Sequence, residues 1–152
     1  MFLAPGMRGN IEAENWVRRL GIAGAVRLLP KLNHAALADL FRCAELTVSP
    51  SEHDGTPNTM LEAMACGAFP IAGNIESIRE WIRHGENGLL HDPGNPASLA
   101  RCIIQGLTEK QLRSSAEEIN TKAVKERADY DCEMKRAGEF YQAVFLSTPK
   151  AR

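Results

Sequence analysis

Short, mostly apolar runs alternate with helical patterns from Phe2 to His91, and this alternation constrains the fold more than any other feature. Phe2–Pro5, Val26–Leu29, Leu46–Ser49, Phe69–Ala72 and Gly88–His91 read as strands. Ile11–Leu20, His34–Cys43, Thr56–Cys66 and Ile75–Arg83 read as the helices between them. Strands joined through helices with short connections make βαβ units and a parallel sheet. Their apolar runs do not alternate with polar residues, as expected of strands covered on both faces. The expected class is therefore α/β, a Rossmann-like parallel sheet with helices on both faces. Local punctuation agrees: Gly21 and Gly67 stand where helices should stop, Pro30 and Pro50 stop strands, and Pro57 is expected at a first helical position. From Asn95 onward the pattern is helical, with helices expected at Ala97–Leu107, Leu112–Ala128 and Asp131–Leu146. The last carries Met134, Ala137, Tyr141, Val144 and Phe145 at helical spacing, and its mixed charges suit a solvated outer face. Trp16 and Trp81 read as core or half-buried helix packing, and residues 147–152 as a frayed tail.

Length and charge act mainly by exclusion. The 152 residues suggest one domain, expected over residues 1–146. Lys and Arg total 18 against 19 Asp and Glu, which argues against a protein held to nucleic acid by bulk charge. No apolar run approaches the ~20 residues of a membrane span. Met1–Asn10 lacks the charged head and apolar stretch of a signal peptide. Cys43, Cys66, Cys102 and Cys132 are far apart, with no CxxC pair. They read as reduced, mostly buried thiols rather than a zinc or redox site, which fits the cytoplasm or the cytoplasmic face of a membrane.

The chemistry concentrates in Ser49–Gly73, SPSEHDGTPNTMLEAMACGAFPIAG. A strand runs into a polar loop containing Gly and Pro, and the loop opens a helix. In a parallel sheet that loop lies at the carboxyl edge, where ligands bind. Thr56, Pro57, Asn58 and Thr59 form the expected helix start, with Thr56 a candidate N-cap. Free N–H groups and the helix dipole there favour an anion such as a phosphate. Gly55, just before, allows close approach of the backbone to a ligand. Asp54 precedes it, and Glu62 lies eight positions after Asp54 within an apolar, small-residue helix. A carboxylate in such a run is costly unless it finds partners. The pattern leaves two readings of Glu62 open: a group aimed along the cleft at a hydroxyl-rich ligand, or a carboxylate on an exposed helical stripe.

Other candidates carry less. His53 either touches a ligand beside Asp54 or is an exposed loop histidine, and His34, His84 and His91 read as structural. Gly6-Met7-Arg8-Gly9 lacks the GxGxxG spacing of a dinucleotide loop. Arg79 and Arg83 have Glu76, Glu80 and Glu86 nearby and read as a solvated helix face.

The stretch Asp54–Gly67 resembles the signature of the nucleotide-sugar-binding, C-terminal half of GT-B glycosyltransferases, in the large retaining family numbered 4. That signature has an acidic residue, a Gly-containing loop, a helix start and a Glu eight residues later. Ala44–Ser51 (AELTVSPS) is similar to the family's "ADVFVxPS" strand, Phe69–Ala72 to its "PVVA" strand, Ser77–Leu90 to its "xxExVxxGxxGxLV" stretch, and Ala128–Asp131 (ADYD) to a "FDWD" segment before the closing helix. Two departures stand out. Asp54 occupies a place where the family usually has Glu. The chain also opens at what is normally the second strand of this half, so the resemblance implies a fragment without the first strand, the diphosphate-binding Arg/Lys pair and the acceptor-binding half.

The resemblance implies a role for each residue. Asp54 contacts donor-sugar hydroxyls, the Gly55–Thr59 backbone holds sugar and diphosphate, and Glu62 accepts hydrogen bonds from the ribose. Pro30, Lys31 and Leu32 match the loop that frames the base, and Glu80 matches the family's Glu in the following helix. Transfer is expected to retain anomeric configuration with no metal or further cofactor, the nucleotide-sugar being the donor substrate and a sugar, lipid or other molecule the acceptor. The competing expectation is a non-catalytic nucleotide-sugar-binding fragment, inactive alone; a nucleotide-sugar epimerase of the same fold carries different motifs. The full-length protein is expected to contact a membrane peripherally. Without the central first strand, this chain is expected to be poorly stable, to self-associate through exposed strand edges, or to shift its N-terminal strand into the gap.

Overall fold

The computed structural model of the chain describes residues 1–55 and 57–147. The expected Thr56 cap and the tail beyond Ser147 lie outside the described residues. The chain divides into two compact units, Met1–Leu40 and Phe41–Arg152, and its strands into two sheets, each internally parallel.

The smaller unit is one βαβ crossover: β1 (Phe2–Ala4), α1 (Ile11–Arg19) and β2 (Val26–Leu28), followed by α2 (His34–Cys43), which runs on across the boundary. Phe2 pairs with Val26 and Ala4 with Leu28. Both helices are capped at their starts by asparagine. Asn10 Oδ1 accepts from the Ala13 N–H at 2.9 Å, and Asn33 Oδ1 from the Ala36 N–H at 2.9 Å. α1 ends in a Schellman motif: Gly21 N–H donates to Arg18 C=O, Ile22 N–H to Val17 C=O, and Gly21 takes φ +66°. Gly21→Ala forces an L side chain into the left-handed region and is expected to cost this unit about 1–2 kcal/mol, measured by chemical denaturation followed at Trp16. An unchanged midpoint would mean that α1 does not end in this turn.

The apolar stripe of α1 is less covered than its spacing implies. No residue of α1 is buried, Ile11 is 73% exposed, and Trp16 is exposed with the Arg19 guanidinium over its ring. Two three-residue strands offer too little surface to cover a helix of nine residues.

The larger unit holds β3 (Leu46–Ser49), α3 (Asn58–Ala65), β4 (Phe69–Gly73), α4 (Glu76–Arg79), β5 (Leu89–His91), α5 (Pro96–Thr108), α6 (Lys110–Arg127) and α7 (Tyr130–Ser147). Its sheet runs β3-β4-β5, with Leu46 opposite Phe69 and Ile71 opposite Leu89. Every residue of the central strand β4 is buried. Pro70 is tolerated there because successive N–H groups point to opposite neighbours. Phe69 N–H donates toward β3, to Glu45 C=O, so the donor that Pro70 lacks lies on the β5 side, before the β4–β5 ladder begins at Ile71.

Both faces of this sheet are covered, as the unalternating strands require. Met60, Leu61 and Met64 of α3 pack with Ala72, Ile78 and Ile82 on one face. Phe69, Ile71 and Leu89 pack with Cys102 of α5 and Ala116 of α6 on the other. α3 ends as α1 does: Gly67 N–H donates to Met64 C=O, Ala68 N–H to Ala63 C=O, and Gly67 takes φ +90°. Arg113 ties three pieces together, donating to the Gly106 and Leu107 carbonyls at the end of α5 and reaching Glu45 Oε2 at 2.8 Å.

α4 is much shorter than its apolar pattern suggests. It stops at Arg79: Trp81 and Ile82 N–H still donate to Ile78 C=O, but from Arg83 the backbone turns to a side chain. Asn87 Oδ1 accepts from Arg83 N–H at 2.7 Å and Asn87 Nδ2 donates to Trp81 C=O at 2.9 Å. Asn120 of α6 completes this knot, accepting from Asn87 Nδ2 at 2.8 Å and donating to Asn87 C=O at 2.9 Å. Trp81 is half-buried under the Arg127 guanidinium, 4.1 Å from its ring centre.

α7 forms over the expected span, but its apolar face is exposed, Phe145 at 77%. Asp129 caps it, accepting from Cys132 N–H at 3.0 Å, a bond that holds the carboxyl below its usual range. The cysteines are all free, but only Cys102 is buried and Cys66 half-buried; Cys43 and Cys132 sit near helix ends in solvent. Burial pushes the Cys102 thiol up. Among the described residues no helix is long and apolar enough to cross a membrane.

Candidate functional site

The loop from Pro50 to Pro57 leaves the carboxyl end of β3 and delivers the chain to α3. A cavity of about 420 Å³ opens there, lined by Thr47 and Ser49 of β3, Asp54 of the loop, and Pro57, Asn58 and Thr59 at the start of α3. Asp54 and Gly55 are exposed, while Pro57 and Met60 are buried beneath the polar first turn.

Pro57 sits one place earlier than its residue type suggests. It is the N-cap of α3 rather than the first helical residue, because its ψ of 61° is not helical, and among the described residues no side chain caps the helix. The first intrahelical donor is Leu61, bonded to Pro57 C=O at 3.0 Å. The N–H groups of Asn58, Thr59 and Met60 therefore have no acceptor within the helix. Three amides and the positive end of the helix dipole converge beside the cavity, an arrangement suited to an anion.

The loop is tied down from below. Ser77 Oγ in α4 donates to Asp54 C=O at 2.8 Å. Ser49 Oγ and Ser51 Oγ lie 3.2 Å apart. A Cβ built on Gly73, the last residue of β4, would stand 2.2 Å from Ser51 C=O, so only glycine lets the loop run this close.

Asp54, Pro57, Asn58 and Thr59 are thus brought together, with Gly55 next to them. Glu62 is half-buried and is not in the cavity wall, but it lies one turn beyond Asn58 on the same stripe of α3. Glu80 is exposed at the end of α4, where its carbonyl accepts from Arg127 Nη1 at 2.9 Å. Pro30, Lys31 and Leu32 belong to the smaller unit and follow its β2; the first two are exposed and Leu32 is half-buried. His53 is exposed, and the buried His91 bonds the Asp92 carbonyl through Nδ1. Ser77 and Gly73 escape a sequence reading because the groups they meet are distant in the chain and are backbone oxygens, which leave no residue pattern.

A larger hollow of about 780 Å³ runs along α6 between Glu117, Glu118, Lys122, Lys125 and Glu126. Its charges are mixed and belong to one solvated helix face, with no group set to select a ligand.

Against known proteins, the family model described as glycosyl transferases group 1 matches residues 8–123. The D-inositol 3-phosphate glycosyltransferase of Thermobispora bispora is 35% identical over 105 residues, covering 69% of this chain and 23% of that protein. The chain spans about a quarter of the length of the curated relatives it matches. Among solved structures, sucrose-phosphate synthase from Thermosynechococcus elongatus superposes with a TM-score of 0.85 at 23% identity, over 90% of this chain and 34% of that one. Anabaena Alr3699/HepE, solved in complex with UDP-glucose, gives a TM-score of 0.81 at 21% identity, over 93% and 40%. At these identities the structural likeness establishes the α/β fold with parallel sheets flanked by helices.

Proposed function

The chain belongs to the glycosyl transferases group 1 family, and we propose on that premise that it is the donor-binding half of a retaining glycosyltransferase, extending over residues 1–146. It holds a nucleotide-sugar, and the longer protein moves the sugar to an acceptor. The observation that carries this reading is the cavity that joins Asp54 to the first turn of α3. The amides of Asn58, Thr59 and Met60 suit a diphosphate. Asp54 suits sugar hydroxyls, at a shorter reach than the glutamate usual in the family. Gly55 admits the donor close to the backbone, and Glu62 takes the ribose hydroxyls.

Chemically, breaking the glycosidic bond builds negative charge on the departing nucleoside diphosphate. N–H donors already aimed at that charge stabilise the transition state more than the ground state, without reorganising. Retention of configuration rests on the likeness of Asp54–Gly67 to the family signature and is read directly from the anomeric proton of the product. A uridine donor is favoured as the first to test, because the HepE structure holds UDP-glucose.

Saturation-transfer NMR of the 152-residue chain with a panel of nucleotide-sugars tests the donor reading. Transfer to both ribose and sugar protons of at least one donor is expected. A panel in which no nucleotide-sugar exceeds a free-sugar control would overturn it.

A further inference from the structure

We propose that Ser77 is a positioning residue of the donor site: its hydroxyl holds the Asp54 backbone and thereby sets where the Asp54 carboxylate meets the sugar. The inference rests on the donor reading above and adds a residue that does not touch the donor itself.

Asp54 is exposed. Two features of the neighbouring stretch meet backbone oxygens of the loop. Gly73 admits Ser51 C=O at a distance no side chain would allow, and Ser77 Oγ donates to Asp54 C=O at 2.8 Å. One lies at the start of the loop, where only glycine lets it pass, and the other is a hydrogen bond at Asp54, both from one support, residues 73–77.

That support is rigid. Gly73 is paired in the ladder to His91, and the next residue, Asn74, donates its N–H to His91 C=O at 2.8 Å. Arg79 Nη1 bonds both the carbonyl and Oδ1 of Asn74, and Ile75 N–H donates to Gly73 C=O. Ile78, beside Ser77, is buried in the core with Met60 and Met64 of α3. The hydroxyl of Ser77 is therefore anchored to the same core that carries the first turn of α3. Asp54 and the α3 amides are held to a common frame, which is what orienting a sugar against a diphosphate requires.

Calorimetry of the full chain with UDP and with UDP-glucose tests this, using Ser77→Ala, Ser77→Thr, Asp54→Ala and the Ser77→Ala/Asp54→Ala pair. Ser77→Ala is expected to weaken UDP-glucose about threefold to tenfold, the worth of one hydrogen bond, and to leave UDP unchanged. Ser77→Thr keeps the hydroxyl and is expected to restore binding. The double variant is expected to be no worse than Asp54→Ala, because Ser77 acts only through Asp54. Positioning is overturned, and the donor reading kept, if Asp54→Ala loses UDP-glucose but Ser77→Ala does not, if the two losses add, or if Ser77→Ala weakens UDP equally. Asp54→Ala binding UDP-glucose normally, or a chain that binds neither ligand, overturns the donor reading and this inference with it.

Discussion

Asn120→Ala is expected to destabilise the larger unit by about 2–4 kcal/mol, since each buried polar group left unpaired costs roughly 1–3 kcal/mol. Asn120 is 1% and Asn87 4% exposed, and they exchange two hydrogen bonds. Truncating Asn120 strips the donor from Asn87 C=O and one of two acceptors from Asn87 Nδ2. It also opens a void between α6 and the turn after α4. Urea denaturation in a Trp16→Phe background, followed at Trp81, reports this unit alone. A shift no larger than that of Gly21→Ala would mean that the two amides are not buried against each other.

Glu62→Ala is expected to weaken nucleotide binding by roughly 1.5–3 kcal/mol, the range for hydrogen bonds to a charged group. The far-ultraviolet circular dichroism should not change, because Glu62 is only half-buried and alanine favours the helix. Calorimetry of the chain with UDP and with UDP-glucose is the appropriate measurement. Unchanged affinity would return Glu62 to the exposed-stripe reading that its sequence pattern leaves open.

The site illustrates how a local signal can be legible while its geometry is not. An acid, a glycine, a proline and two polar residues ahead of an apolar run already mark a helix start at a sheet's carboxyl edge. They do not reveal that Pro57 lies outside the helix, because proline fixes φ and leaves ψ to its surroundings. They do not reveal Ser77, which is 23 residues beyond Asp54. Thr47 and Ser49 line the cavity only because the strand before the loop shares its edge.

What the sequence determines by itself is the part of the fold written in short-range chemistry. Gly21 and Gly67 end α1 and α3 in left-handed turns, Asn10 and Asn33 cap two helices, and the unalternating apolar runs of β4 and its neighbours sit in a sheet covered on both faces, though the same expectation fails for β1, where Phe2 and Leu3 are exposed. Each of these depends on a few neighbouring residues whose backbone preferences act wherever the chain goes. Only the tertiary structure decides the rest. Residues 75–83 carry a helical pattern, yet α4 ends at Arg79, and beyond the bond from Ile82 N–H to Ile78 C=O the Arg83 N–H and the Trp81 carbonyl pair with Asn87, which Asn120 holds, instead of continuing the helix. The apolar faces of α1 and α7 are drawn just as plainly, yet stay exposed. Periodicity sets which side of a helix is apolar; burial depends on the area of the surface it meets, and that area is a property of the assembled elements.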